Sequence, residues 1–151
     1  MKKILVATAL LLAGYGASAQ FVAKLEVTEE VEGICDKDEV YTLLPMFEGQ
    51  VEAACLISKE GLEYRLNSGV PFLADNPKYK DEGMIGLYIN CNGQVVKCKM
   101  DNKTKNPELD QQIETVFSNL GEWKAGTLNG HKVDSYKLFS FKIKKGKLVL
   151  N

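Results

Sequence analysis

The chain is poor in the residues and motifs that carry most enzymatic chemistry. It holds one histidine, His131, and a lone histidine is poor material for a nucleophile–base pair. No G-x-S-x-G, H-E-x-x-H, P-loop or G-x-G-x-x-G pattern occurs. The corresponding esterase, zinc-protease, nucleotide and dinucleotide chemistries therefore have no sequence support. Proline is scarce, four residues in all, with none in Gln20–Val40, so no stiff proline-rich spacer precedes the folded part. Internal repeats and low-complexity linkers are absent. The formal charge is only −1, which gives no sign of nucleic-acid binding. The longest apolar run, Ile4–Tyr15, is too short to span a bilayer comfortably. The expectation is a non-enzymatic protein with no cofactor and no metal.

What is present begins with an address. Met1-Lys2-Lys3, the apolar run and the small residues Ala17-Ser18-Ala19 predict a secretory signal peptide over residues 1–19, with Gln20 as the mature start. No membrane span is then expected after cleavage, and the protein is expected to be periplasmic or secreted. Cys35, Cys55, Cys91 and Cys98 all follow that site. An even count in an oxidising compartment predicts two disulfides.

Asn106–Gly130 has the best-marked helix. Asn106 is a good N-cap and Pro107 suits the first helical position. Leu109, Ile113, Val116, Phe117 and Leu120 make one apolar stripe at helical period. Asp110, Gln111, Glu114, Ser118 and Asn119 fall on the other face, and Gly121 suits the helix end. Trp123 is expected to cap the core. A second helix is predicted from Ser58 through Asn67, stapled by Ile57 and Leu62, with Leu62, Leu66 and Val70 buried and Pro71 beyond its end.

Residues 84–100 read as a hairpin about Asn92-Gly93, the preferred pair for a two-residue turn. That turn sets Cys91 opposite Gln94, Ile89 opposite Val96, Leu87 opposite Cys98 and Ile85 opposite Met100. Cys98 then faces the core under the Asn106 helix. Cys91 and Cys98 lie about 13 Å apart along the hairpin, beyond disulfide reach, so each is expected to pair with Cys35 or Cys55. Phe139, Phe141 and Ile143 alternate with Ser140, Lys142 and Lys144 as a half-buried last strand. The lysines at 142, 144, 145 and 147 have two readings, protection of an edge strand or acceptance of a partner's strand.

The ordered elements Leu109-Asp110, Trp123-Lys124-Ala125-Gly126 and Asn129-Gly130, then a long last strand, resemble the C-terminal domain of the TonB energy-transducer family. Pro45, Phe47 and Gly49 resemble that family's Pro-x-Phe-x-Gly-Gly element, with Gln50 for the second glycine and Ala125 for the usual proline. The resemblance covers about residues 40–145. It implies an α+β fold of two helices on one face of a small antiparallel sheet of about three strands. Residues 40–151 form that domain and 20–39 a lead-in segment. It further implies partner binding through Phe139, Ser140, Phe141, Lys142 and Ile143 at an exposed edge. The expected partner is an envelope protein or outer-membrane transporter segment, or a second copy as a homodimer. Without an anchor or spacer, the domain is expected to bind rather than transmit force. The alternative reading is a disulfide-stabilised structural or small-ligand-binding envelope protein that reuses the fold.

Overall fold

In the computed structural model the described residues are 21–121 and 123–151. The expected signal peptide and Gln20 lie outside them. Strands are β1 (Ala23–Leu25), β2 (Val40–Thr42), β3 (Gln50–Val51), β4 (Ala54–Cys55), β5 (Asp81–Ile89), β6 (Val95–Asn102), β7 (Trp123–Lys124), β8 (Gly126–Leu128), β9 (His131–Lys144) and β10 (Lys147–Leu150). Helices are α1 (Lys59–Gly69), α2 (Pro71–Asp75) and α3 (Pro107–Ser118).

The architecture corrects the expected three-stranded sheet with two helices. Eight strands form one sheet, with the path β1-β2-β9-β5-β6 and with β10, β8 and β3 joined beside it. The sheet is mixed, because β2 runs parallel to β9, and it curls into a half-barrel with three short helices. Strands β4 and β7 pair separately. The reasons are local. β1 to β4 are two or three residues long, too short to show a period-two pattern. The apolar residues Leu148-Val149-Leu150 fold back as β10 through a turn at Lys145 and Gly146, both at positive φ.

The helices follow their sequence signals. Ser58 Oγ accepts the Gly61 N–H at 3.2 Å, and Asn106 Oδ1 accepts the Leu109 N–H at 2.9 Å. Leu62 and Leu66 of α1 and Leu109, Ile113 and Phe117 of α3 are buried against Ile85, Leu87, Ile89, Phe141, Ile143, Leu148 and Leu150 of the sheet. Each such side chain contributes about 1.5–3 kcal/mol by leaving water. Asp110 departs from its expected solvent face. It is buried and accepts from the Thr104 N–H at 3.0 Å and the Thr104 hydroxyl at 2.6 Å, fixing the loop ahead of α3.

The β5–β6 hairpin keeps Leu87 opposite Cys98 and Ile85 opposite Met100, but Ile89 meets Val95 rather than Val96. The expected two-residue turn gives way to a wider one built on Asn90. That buried side chain accepts from the N–H groups of Asn92 and Gln94 and donates to the Gly33 carbonyl. An Asx-type turn has thus overridden the Asn-Gly signal.

Candidate functional site: an unpaired flank of the long strand

Strand β9 is long enough to carry several partners. One flank pairs with β5 from Ser135 to Ile143 without interruption. The other pairs with β2 at Asp134 and Ser135, and with β10 from Phe141 to Lys144. The Asn151 N–H extends the β10 ladder by one bond to the Ser140 carbonyl, at 3.0 Å. Between these two ladders no strand among the described residues pairs with Tyr136–Phe139. The opening is four residues, or about 13 Å, long.

Strand geometry decides which groups face it. In a strand, the N–H and C=O of one residue point to the same side, and successive residues alternate. Ser140 turns its carbonyl toward Asn151, so Leu138 presents both its backbone groups to the opening. Lys137 and Phe139 turn theirs toward β5.

The opening sits beside a cavity of about 260 Å³ lined by Ala54, Cys55, Ile57, Lys59, Leu62, Lys137, Phe139, Leu150 and Asn151. Phe139 forms its aromatic wall, in ring contact with Phe117 at 5.4 Å and Trp123 at 6.0 Å. Lys137 crosses the rim, bonded to Glu52 at 2.8 Å and with its Nζ 5.7 Å from the Phe139 ring centre. Cys55, half-buried, is a free thiol. Ser135, where the β2 pairing ends, carries a buried hydroxyl without a partner among the described residues.

Two other sheet margins, β10 and β6, are treated differently. On β10, the Leu148 N–H and C=O both bond to the Asn67 side chain at 2.8 Å, and the Leu150 N–H bonds to Glu63 at 2.9 Å. Helix α1 thereby closes that edge, one of the known ways to blunt it. On β6, Glu114 of α3 accepts the Met100 N–H at 2.7 Å, and Lys97 and Lys99 both pair with Glu29.

The expected binding strand, Phe139–Ile143, is accordingly not an exposed edge. Gly83 and Leu150 flank Phe141, Glu82 and Val149 flank Lys142, and Asp81 and Leu148 flank Ile143. Only Phe139, and Ser140 beside it, border the opening. The period-two pattern that located the strand reports which face is buried and carries no information on its neighbours.

Of the four cysteines, Cys35 and Cys91 form a disulfide with Cα atoms 6.1 Å apart. It ties the lead-in segment to the hairpin tip. Cys55 and Cys98 remain thiols, against the expected second bridge. Cys55 lies opposite Trp123 in the small β4–β7 sheet, whereas Cys98 lies on β6 within the main sheet. Burial pushes the Cys98 thiol up to about 11, partly offset by the Ser118 hydroxyl. His131 is exposed at the start of β9. Among the described residues, Cys35, Cys91 and Asp134 are the one grouping with metal-ligand spacing, and the bond between the two sulfurs already uses them.

Sequence reasoning missed the opening because it is bounded by β2 and β10, two short strands that no local pattern marked. Its nearest clue was the non-alternating apolar stretch around Cys55–Ile57. No protein-family model, curated protein or solved structure matches this chain.

Proposed function

We propose that the protein is an exported, non-enzymatic binding module that accepts an extended segment of a partner protein beside Leu138. The observation that carries this reading is the interrupted ladder between Tyr41–Ser135 and Leu150–Phe141. Unpaired backbone groups on a strand are matched best by another backbone, and β-augmentation uses that complementarity. The apolar cavity beside them suits one aliphatic side chain of the incoming segment. On this reading recognition lies at Tyr136–Phe139 instead of along Phe139–Ile143. The Cys35–Cys91 disulfide supports export, since such bonds persist in oxidising compartments. The sequence resemblance at Leu109-Asp110, Trp123-Lys124-Ala125-Gly126 and Asn129-Gly130 is the ground for taking a transporter or other envelope protein as the source of the segment.

The test is capture of envelope proteins by the wild type and by Leu138→Pro. Proline there removes the N–H facing the opening and leaves the β5 ladder bonds intact. A defined set of captured proteins, lost with Leu138→Pro while circular dichroism is unchanged, supports the reading. Equal capture by both proteins overturns it. A second reading, a small apolar ligand in the same cavity, is favoured by its Ile57, Leu62, Phe139 and Leu150 walls. Such a ligand needs no backbone donor, so its binding would survive Leu138→Pro and be lost with a bulky substitution at Cys55.

A further inference from the structure

We propose that the lysine-rich end of the sheet face opposite the helices docks the protein on an anionic lipid surface. On β9 and β10, Phe141, Ile143, Leu148 and Leu150 are buried, while Lys142, Lys144, Lys147 and Val149 between them are exposed. Alternation therefore sends these lysines to the face that the core does not use. Edge protection does not account for Lys142 and Lys144, because β9 is flanked there by β5 and β10.

Other lysines converge on the same end. Lys80 and Lys105 line one shallow hollow of about 420 Å³ together with Lys142 and Lys144, four cations against the two carboxylates Asp81 and Glu82. Gly146, at φ +69, seats the β9–β10 turn so closely on Asn76 and Pro77 that a Cβ there would lie 2.8 Å from the backbone of both. Its N–H donates to the Tyr79 carbonyl at 3.0 Å. This brings Lys145 and Lys147 to the loop that carries Lys78 and Lys80.

The local acids offset only part of the group. Asp81 is engaged by the Tyr79 hydroxyl and by the N–H groups of Glu82 and Lys105. Its one ion pair among the described residues, to Lys105, is 3.9 Å long. Glu82 stands opposite Lys142 in the ladder. Lys78, Lys80, Lys142, Lys144, Lys145 and Lys147 form no ion pair among the described residues. A chain of formal charge −1 thus carries a concentrated positive pole.

Two features identify the occupant. Every cation in the group is lysine, a compact point charge suited to a diffuse anionic layer, whereas bidentate recognition of a phosphorylated peptide calls for arginine. Leu138 and Val149, 42% and 47% exposed, lie on the same face, Val149 opposite Lys142 and Leu138 four residues before it, and can enter the headgroup region beside the lysines. The inference does not depend on the segment-binding reading.

The experiment is flotation of the full chain with phosphatidylcholine vesicles, with and without phosphatidylglycerol. The expected result is recovery on the phosphatidylglycerol vesicles that falls as salt rises, with about a fivefold loss of partitioning for each lysine removed in Lys142→Gln, Lys144→Gln and Lys147→Gln. Binding carried by the apolar N-terminal run, which Lys2 and Lys3 precede, would also respond to lipid charge but would be indifferent to these substitutions. Partitioning unaffected by salt in the wild type, or unchanged in the triple variant, overturns the proposal. So does full displacement by inorganic phosphate, which would assign a site for small anions instead.

Discussion

Asp134 holds Cys91 through a hydrogen bond of 2.9 Å from the Cys91 N–H to its Oδ1, and its Oδ2 accepts the N–H of Asp36 at 2.7 Å. One buried carboxylate on β9 therefore grips the backbone on both arms of the Cys35–Cys91 disulfide. The bond and the carboxylate act together to fasten the lead-in segment and the hairpin tip to the sheet.

Breaking this fastening has a calculable cost. The bridge spans 56 residues, and loop closure of that size is worth about 4 kcal/mol in the chain-entropy account. Cys35→Ser is expected to lower stability by about 2–4 kcal/mol in urea unfolding. Asp134→Asn, which retains an acceptor for one N–H and not for both, is expected to cost about 1–3 kcal/mol. An oxidised wild type no more stable than Cys35→Ser would remove the disulfide from the account.

The α1 cap on β10 is expected to act on solubility as well as stability. Asn67→Ala leaves the Leu148 N–H and C=O without partners, at about 1–3 kcal/mol. It also uncovers a strand edge, so concentration-dependent association should appear by light scattering. A variant that is destabilised but strictly monomeric would show that α1 closes no reactive edge.

Asp81 predicts a loss of stability in acid. Burial opposes its ionisation, but hydrogen bonds from the Lys105 N–H, the Tyr79 hydroxyl and the Glu82 N–H outweigh it and hold the carboxyl below its ordinary 3.8. A depressed folded-state pKa gives stability that is present above the unfolded value and is lost as pH falls through the folded one. Asp81→Asn is expected to flatten the pH dependence of the melting temperature below about pH 4. An unaltered profile would mean that other carboxylates govern acid unfolding.

Cys98 is expected to react slowly. With its thiol pushed up to about 11 by burial, almost none is thiolate at neutral pH, and the thiolate is the nucleophile. Labelling with iodoacetamide at pH 7.5, read by peptide mass spectrometry, should modify Cys98 far faster in urea than in the native state. Equal rates in the two states would place Cys98 in open solvent.

Much of the fold was legible where one residue type has one local consequence. Asn106 and Ser58 cap the helices they were expected to cap, and the Leu87–Cys98 and Ile85–Met100 pairs follow from the hairpin pattern. Distance along a strand excluded Cys98 as the partner of Cys91 but left Cys35 and Cys55 both open, and the structure chooses Cys35. The failures share a cause. Strands of two or three residues, such as β3 and β4, are specified by what they pair with, which no local pattern records. Asn90 shows the same limit within one turn, since its burial and its bond to Gly33 depend on a segment 57 residues away. The candidate site is hardest to read for this reason. It is defined by the neighbour that β9 lacks, and alternation along Tyr136–Ile143 is the same whether or not a neighbour is there.

Amide hydrogen exchange of the free protein reads the state of this flank residue by residue. The Leu138 amide, facing the opening, is expected to exchange much faster than those of Lys137 and Phe139, which face β5. A bound partner segment is expected to slow the Leu138 amide selectively. If Leu138 in the free protein is as protected as its two neighbours, the flank is already closed and the proposed recognition site does not exist.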